Sequence, residues 1–379
     1  MIKYIGSKRR LVPALAALAD GAGAHTAVDM FTGTTRVAQA FKRQGMSVTA
    51  VDSATYAEVL ARAYIATDGA AVDRAELSDA VARLAAVPGR RGYVTKVFCE
   101  RARYFHPENG VRIDAIRDEI EATYSGSALY PLLLTSLLEA ADRVDSTTGL
   151  QMAYLKTWAP RALRPLELRL PELIPGAGVA IRGDALAVAA HLPHVDLAYV
   201  DPPYNQHRYF SNYHVWETLV RWDAPEFYGV ACKRVDCTDD SSVSPFNRRA
   251  RMGDALSQVV EDVDADVMVV SYNDEAWLSL EELLAMCAGR RLSGGSREMH
   301  VQVLSADSKR YVGAQIGIHN PAGIKVGEIS HLRNKELLVI SGSRDAVEAA
   351  AGAAERVLAL TGRPTGRGSC SSATSLSEV

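Results

Sequence analysis

An apolar run, Ala198-Tyr199-Val200, leads directly into Asp201-Pro202-Pro203-Tyr204. Two consecutive prolines lack the N–H groups of a strand ladder, so the run ends in a stiff turn. In an open α/β sheet the ligand crevice lies beyond the carboxyl ends of the strands. An acid held there suits chemistry on an aryl amine, a poor nucleophile because its lone pair is delocalised into the ring. The Asp201 carboxylate can accept one amine hydrogen and the Pro202 carbonyl the other. The nitrogen is then drawn toward tetrahedral geometry, with its lone pair free for an electrophilic carbon. Such catalysis works by positioning and charge placement. Tyr204 offers a ring for a flat base to stack on, and a base in a duplex must be flipped out to reach it. Taken alone, the same four residues also fit a plain strand-ending turn with a solvated acid.

Two further clusters bear on a ligand. In Val28-Asp29-Met30-Phe31-Thr32-Gly33-Thr34-Thr35 a strand ends in small residues before a helix, which lets backbone approach a ligand closely. A dinucleotide fingerprint has three glycines, and this loop has Gly33 alone, so a NAD site is disfavoured. The next strand ends in Asp52, where an acid can bind the ribose hydroxyls of a nucleoside cofactor. At the amino end, Lys3-Tyr4-Ile5-Gly6-Ser7-Lys8-Arg9-Arg10 forms a glycine-serine turn before a basic helix start. Lys8 can pair with a cofactor carboxylate and Tyr4 can pack on it; a solvated basic terminus is the plainer alternative.

These residues must be positioned by strands and helices. Thr26 to Phe31 and Ser47 to Val51 read as strands, with a helix from near Thr35 toward Gly45. From about Asp73 to Leu170 the pattern is helical, as in Ala80–Ala86, Arg112–Thr123 and Leu132–Val144. Strands resume at Gly178–Arg182, Val195–Val200, Asp266–Tyr272 and Glu336–Ile340. The expectation is an α/β fold interrupted by helices. Its parts are 1–70 and 178–361 as the two halves of a catalytic domain, 71–177 as a helical insertion, and 362–379, rich in Gly, Ser and Thr, as a disordered tail.

Composition is that of an ordinary globular protein, 48% apolar and 23% charged over 379 residues. No apolar run is long enough to span a membrane, and the amino end lacks a signal peptide's apolar core, so a cytoplasmic location is expected. The 5 cysteines are scattered, which argues for reduced thiols and against a metal site. The net charge of -3 does not advertise nucleic-acid binding, yet a local basic face is enough for it.

The order Lys3-Tyr4-x-Gly6-x-Lys8, Phe31-x-Gly33, Asp52, a helical block, then Asp201-Pro202-Pro203-Tyr204 resembles the Dam-type adenine DNA methyltransferases in their class-alpha arrangement. Four further stretches resemble a branch that includes restriction-modification methylases: 98–105, 138–144, 205–219 and 311–318. The resemblance covers nearly the whole chain except the tail. It implies a Rossmann-like sheet, S-adenosylmethionine as methyl donor, and duplex DNA as partner, with a cognate restriction endonuclease possible in the same system. It assigns Tyr4, Lys8, Phe31, Gly33, Asp52, Asp184 and Asp201 to the cofactor, and Asp201, Pro202 and Tyr204 to catalysis. The helical insertion becomes a target-recognition region. Thr35 departs from the pattern, since many relatives carry a second glycine there.

Candidate DNA contacts are Arg101 and Arg103 in the helical block, and His207 and Arg208 beyond the turn. Arg90, Arg91, Lys96, Arg112 and Arg117 accompany the first two, and for each residue of this block a solvated helical surface is the plainer reading. Tyr209, Phe210, Tyr213 and Trp216 fit either a base-facing set or core at helical spacing. The polar loop from Arg234 to Arg251 fits a flap over DNA or a mobile connection. A methyltransferase acting on structured RNA would use the same amine chemistry and is the main alternative; a non-catalytic nucleotide-binding protein of the same fold is the other.

Overall fold

The computed structural model describes residues 2–4, 6, 8–203, 209–239, 243–273, 276–291, 299–309, 333–360 and 367–370. The order of the main sheet is set by eight strands: β1 (Thr26–Met30), β2 (Ser47–Asp52), β3 (Val179–Arg182), β4 (Val195–Val200), β7 (Ala265–Asn273), β8 (His300–Lys309), β9 (Arg333–Gly342) and β10 (Arg367–Cys370). Between β4 and β7 the chain adds a separate short hairpin, β5 (Phe227–Tyr228) and β6 (Lys233–Arg234). Across the main sheet the order is β10-β8-β9-β7-β4-β1-β2-β3. The five strands β3, β2, β1, β4 and β7 run parallel, and β9 enters antiparallel between β7 and β8.

Strand alternation divides the core into two layers. Ala27, Leu197, Tyr199, Val267 and Val269 face one cluster, while Val28, Met30, Ala198, Val200, Met268 and Val270 face the other. Successive residues of a strand point to opposite faces, so near-continuous apolar strands are what a sheet covered on both sides requires. Helices Arg249–Asp262 and Leu280–Ala288 cover one face. Helices Val12–Gly21, Arg36–Arg43, Thr55–Ala61 and His214–Arg221 cover the other.

Residues 71–177 contain helices and no strand, as expected. They do not form a core of their own. Phe98, Ile116, Leu132, Leu133 and Leu137 join the same buried cluster as Trp216, Leu219 and the sheet residues. The reason is visible in Tyr130–Arg143, where leucines all round the helix are buried. Within the stretch expected to be disordered, Arg367–Cys370 pairs with β8 as an antiparallel strand. It satisfies the backbone groups that β8 would otherwise leave open at the sheet edge. The candidate residues Tyr204, His207 and Arg208 lie outside the described residues, as does 311–318.

Candidate active site

Parallel register brings the motif ends together. Met30 pairs with Val51 on one side and with Val200 on the other, and Asp52 pairs with Arg182. Phe31, Asp52, Asp184 and Asp201 therefore emerge along one edge, where the strand order reverses. They line one cavity of about 460 Å³ together with Tyr4 and Lys8. Pro203, Tyr209, Phe210, Ser244, Phe246 and Asn247 complete much of the wall.

The loop after β1 is shaped by its backbone. Phe31, Gly33 and Thr35 have φ values of 64°, 52° and 62°, in the left-handed region. Phe31 is thereby turned edge-on to Phe246, ring centres 4.8 Å apart. Gly33 is not itself among the wall residues. It packs on Tyr4 so closely that a Cβ would lie 2.9 Å from the ring, and its N–H donates to Asp52 Oδ2 at 2.8 Å. Thr35 explains the departure noted above, because its backbone adopts a conformation that glycine takes without strain. Its fully buried hydroxyl accepts a hydrogen bond from Gln39 Nε2 at 2.8 Å.

Asp52 accepts N–H groups from Gly33 and Ala54, which hold its carboxylate in one orientation. Burial pushes its pKa up, against the lowering effect of these bonds. Asp184 is exposed on the wall and caps the helix Ala185–Ala189 by accepting the Leu186 N–H at 3.0 Å. Tyr4 packs against two tyrosines of the segment that follows the Asp201 turn, 5.3 Å from Tyr209 and 4.7 Å from Tyr213. That stack ties the amino end of the chain to the segment after Asp201.

Lys8 is buried and its ammonium bridges two carboxylates, at 3.2 Å from Asp201 Oδ1 and 2.9 Å from Glu336 Oε2. Burial raises the Asp201 pKa to about 6; Lys8 opposes the rise and Glu336 adds to it. Pro202 is buried beside it. The expectation for Lys8 was a cofactor carboxylate; its observed partners are carboxylates of the protein.

Three acids went unnoticed in the sequence. Glu336 reaches the site from the start of β9, whose antiparallel course brings its amino end to this edge. Asp29, buried on β1, accepts Thr32 Oγ1 and the Ala38 N–H, and burial raises it to about 7. Glu217 accepts the N–H groups of Thr55 and Tyr56, capping the helix that follows Asp52. Asp29 lay in the loop motif after β1 and Glu217 in the stretch 205–219; Glu336 alone belonged to no local motif.

The aromatics divide. Tyr213 and Trp216 are buried in the core, whereas Tyr209 and Phe210 face the cavity. The Arg234–Arg251 loop buries Arg234 between Asp223 and Asp236 and presents Phe246 and Asn247 to the cavity. Arg101 is exposed with its guanidinium 5.6 Å from the Phe227 ring centre, and Arg103 lies 4.6 Å over Trp158. Neither lines the cavity. Arg90 and Arg91 pair with Asp118 and Glu100, and Arg117 is buried, donating to the Leu219 and Val220 carbonyls. Arg90 and Arg91 thus lie on the helical surface, whereas Arg117, expected on that surface, is buried because backbone carbonyls and Glu121 take up its guanidinium.

Among the described residues, no histidine or cysteine lines the cavity. Among the described residues, His194, Asp196 and Asp266 have ligand-type atoms within 4.8 Å of one another, but at the starts of β4 and β7, the opposite edge of the sheet. Asp196 is already committed to the His25 and Thr26 N–H groups. Among the described residues no helix is long and apolar enough to cross a membrane.

A mainly parallel sheet with an antiparallel strand inserted near one end, and an acid-proline-proline turn at its switch point, are consistent with a methyltransferase fold. The chain belongs to the D12 class N6 adenine-specific DNA methyltransferase family, whose model matches residues 4–286. It is 30% identical over 297 residues to the Type II methyltransferase M.NlaIII of Neisseria lactamica, covering 74% of this chain and 86% of that one. It is 29% identical to the modification methylase StsI of Streptococcus sanguinis and to the Type II methyltransferase M.FokI of Planomicrobium okeanokoites. The matched region spans 45% and 46% of those two longer proteins. No solved structure gives a significant match. The chain is thus an adenine-specific DNA methyltransferase of the restriction-modification kind.

Proposed function

We propose that the cavity holds S-adenosylmethionine beside a flipped adenine, and that Asp201 and Pro202 grip the adenine amine. The observation that carries this reading is the convergence of Tyr4, Lys8, Phe31, Asp52, Asp184 and Asp201 on one cavity from five separate segments. The donor set suits the cofactor. Asp52 presents a carboxylate to ribose hydroxyls, and Phe31 offers an apolar face to a flat base. Asp184 faces the same space as an acceptor for an adenine amine. Gly33 keeps Tyr4 and Asp52 in place. When bound, S-adenosylmethionine supplies an electrophilic methyl group.

The remaining work falls to the chain. Ionised Asp201 accepts one hydrogen of the target amine, the Pro202 carbonyl accepts the second, and Tyr204 stacks on the base. The nitrogen lone pair is then directed into the cavity. Residues 71–177 serve as the target-recognition region on duplex DNA, with Arg101 and Arg103 reaching from it and His207 and Arg208 closing near the turn. The relatives' names support a place in a restriction-modification system, beside a cognate endonuclease.

Two measurements test this. Calorimetric titration should show S-adenosylmethionine binding that weakens at least tenfold in Asp52→Ala, a loss of about 1.4 kcal/mol or more. Wild-type affinity in that variant would contradict the cofactor assignment. Duplex DNA and structured RNA compared as methyl acceptors should favour DNA; preference for RNA would reverse the substrate.

A further inference from the structure

Glu336 has no role in the scheme above, yet it shares the buried ammonium of the lysine beside the catalytic turn. Side-chain exposure is 5% for Lys8 and 11% for Glu336. The three charged groups arrive from three separate places: the turn Lys8–Arg10, the residue after β4, and the start of β9. One carboxylate would be enough to neutralise Lys8. A second buried carboxylate adds a desolvation cost and a net negative charge, so it must be supported by something other than charge balance.

We propose that Glu336 is a positioning residue for methyl transfer: it draws the Lys8 ammonium partly off Asp201, leaving the catalytic carboxylate oriented and open to the adenine amine. The inference rests on the reading of Asp201 as the amine acceptor. A lysine is a compact point charge on a flexible stem, and one partner leaves it free to swing. Two partners at 2.9 and 3.2 Å fix it. Without Glu336 the ammonium would settle wholly on Asp201 and compete with the incoming amine for its lone pairs. Among the described residues, Asp29 on β1 and Tyr199 on β4, both buried, also interact electrostatically with Asp201.

The test is the pH dependence of single-turnover methylation by full-length wild type, Glu336→Gln, Glu336→Asp and Asp201→Asn, with thermal melting to confirm folding. Glu336→Gln removes a like charge and leaves Lys8 to Asp201. Its acid limb should move down by about one pH unit, and its plateau rate should fall about tenfold, with S-adenosylmethionine affinity within twofold of wild type. Glu336→Asp keeps the charge but retracts the anchor, so its rate should fall with the limb unmoved. A folded Glu336→Gln with wild-type rate and limb would overturn the proposal. Should Glu336→Gln fail to fold, wild-type rate in Glu336→Asp would overturn it instead. Activity in Asp201→Asn would defeat the reading of Asp201 itself; an inactive Asp201→Asn beside an unaltered Glu336→Gln would defeat only the role of Glu336.

Discussion

The Lys8 ammonium lies 3.2 Å from Asp201 Oδ1, yet the Asp201 carboxyl still titrates at about 6. Burial outweighs the cation, and Glu336 adds to the rise. In the proposed mechanism Asp201 works in its ionised form, the stronger acceptor for the amine's hydrogen bond. Activity should therefore fall on the acid side, with kcat/KM halved near pH 6 and lost below it. Replacing Lys8 by Met removes the cation and should move that limb upward. A pH–rate profile flat from pH 5 to 8 would contradict this.

Gly33 has no room for a methyl group. Its φ is positive, and a Cβ would meet the Tyr4 ring at 2.9 Å. Gly33→Ala should destabilise the fold by about 1–3 kcal/mol through strain and overpacking. Because the same N–H holds Asp52, S-adenosylmethionine affinity should fall as well. Denaturant melts and calorimetry on the variant check both effects.

Glu217 joins the helix His214–Arg221 to the start of the helix Thr55–Ala61. Truncation to Ala leaves two helix N–H groups without their acceptor. The expected loss is about 1–3 kcal/mol, read as a lower midpoint in urea. An unchanged midpoint would mean that the cap contributes nothing.

His214 sets an acid limit on stability. It is fully buried, Nε2 donates to the Gln151 carbonyl at 3.0 Å, and burial lowers its pKa to about 3. Its folded pKa lies below the unfolded value. Its contribution is present above about pH 6.5 and is lost as pH falls from there toward 3. Asp29 and Asp201, raised to about 7 and 6, act with the opposite sign: their contribution is present at low pH and is lost as pH rises through those values. The difference between wild type and His214→Asn therefore isolates the histidine. The unfolding free energy at pH 7 minus that at pH 5, from urea melts, should be lower in the variant than in wild type, by up to about 1.4 kcal/mol per pH unit below about 6.5.

What the sequence disclosed was local. Asp201 and Asp52 stood out because each ends an apolar strand, and parallel register then forces such ends to one edge. Glu336 could not stand out. It reaches the site only because β9 runs antiparallel, and nothing around residue 336 resembles a motif. Strand β8 was likewise missed. The aromatics after the turn were ambiguous because the helix breaks at Tyr213, so the phase of Tyr209 and Phe210 does not carry over to Trp216. The helical block was legible as helix but not as part of the sheet's own core, since a leucine buried against a sheet looks the same in sequence as one buried in a separate bundle. In Arg234–Arg251, polar composition concealed a buried arginine and a phenylalanine on the cavity wall.

The most direct test is the product. Duplex DNA incubated with the protein and S-adenosylmethionine, then digested to nucleosides and resolved by mass spectrometry, should yield N6-methyladenine with wild type and none with Asp201→Ala. Methyl groups on cytosine alone, or N6-methyladenine persisting in Asp201→Ala, would contradict the amine-gripping turn.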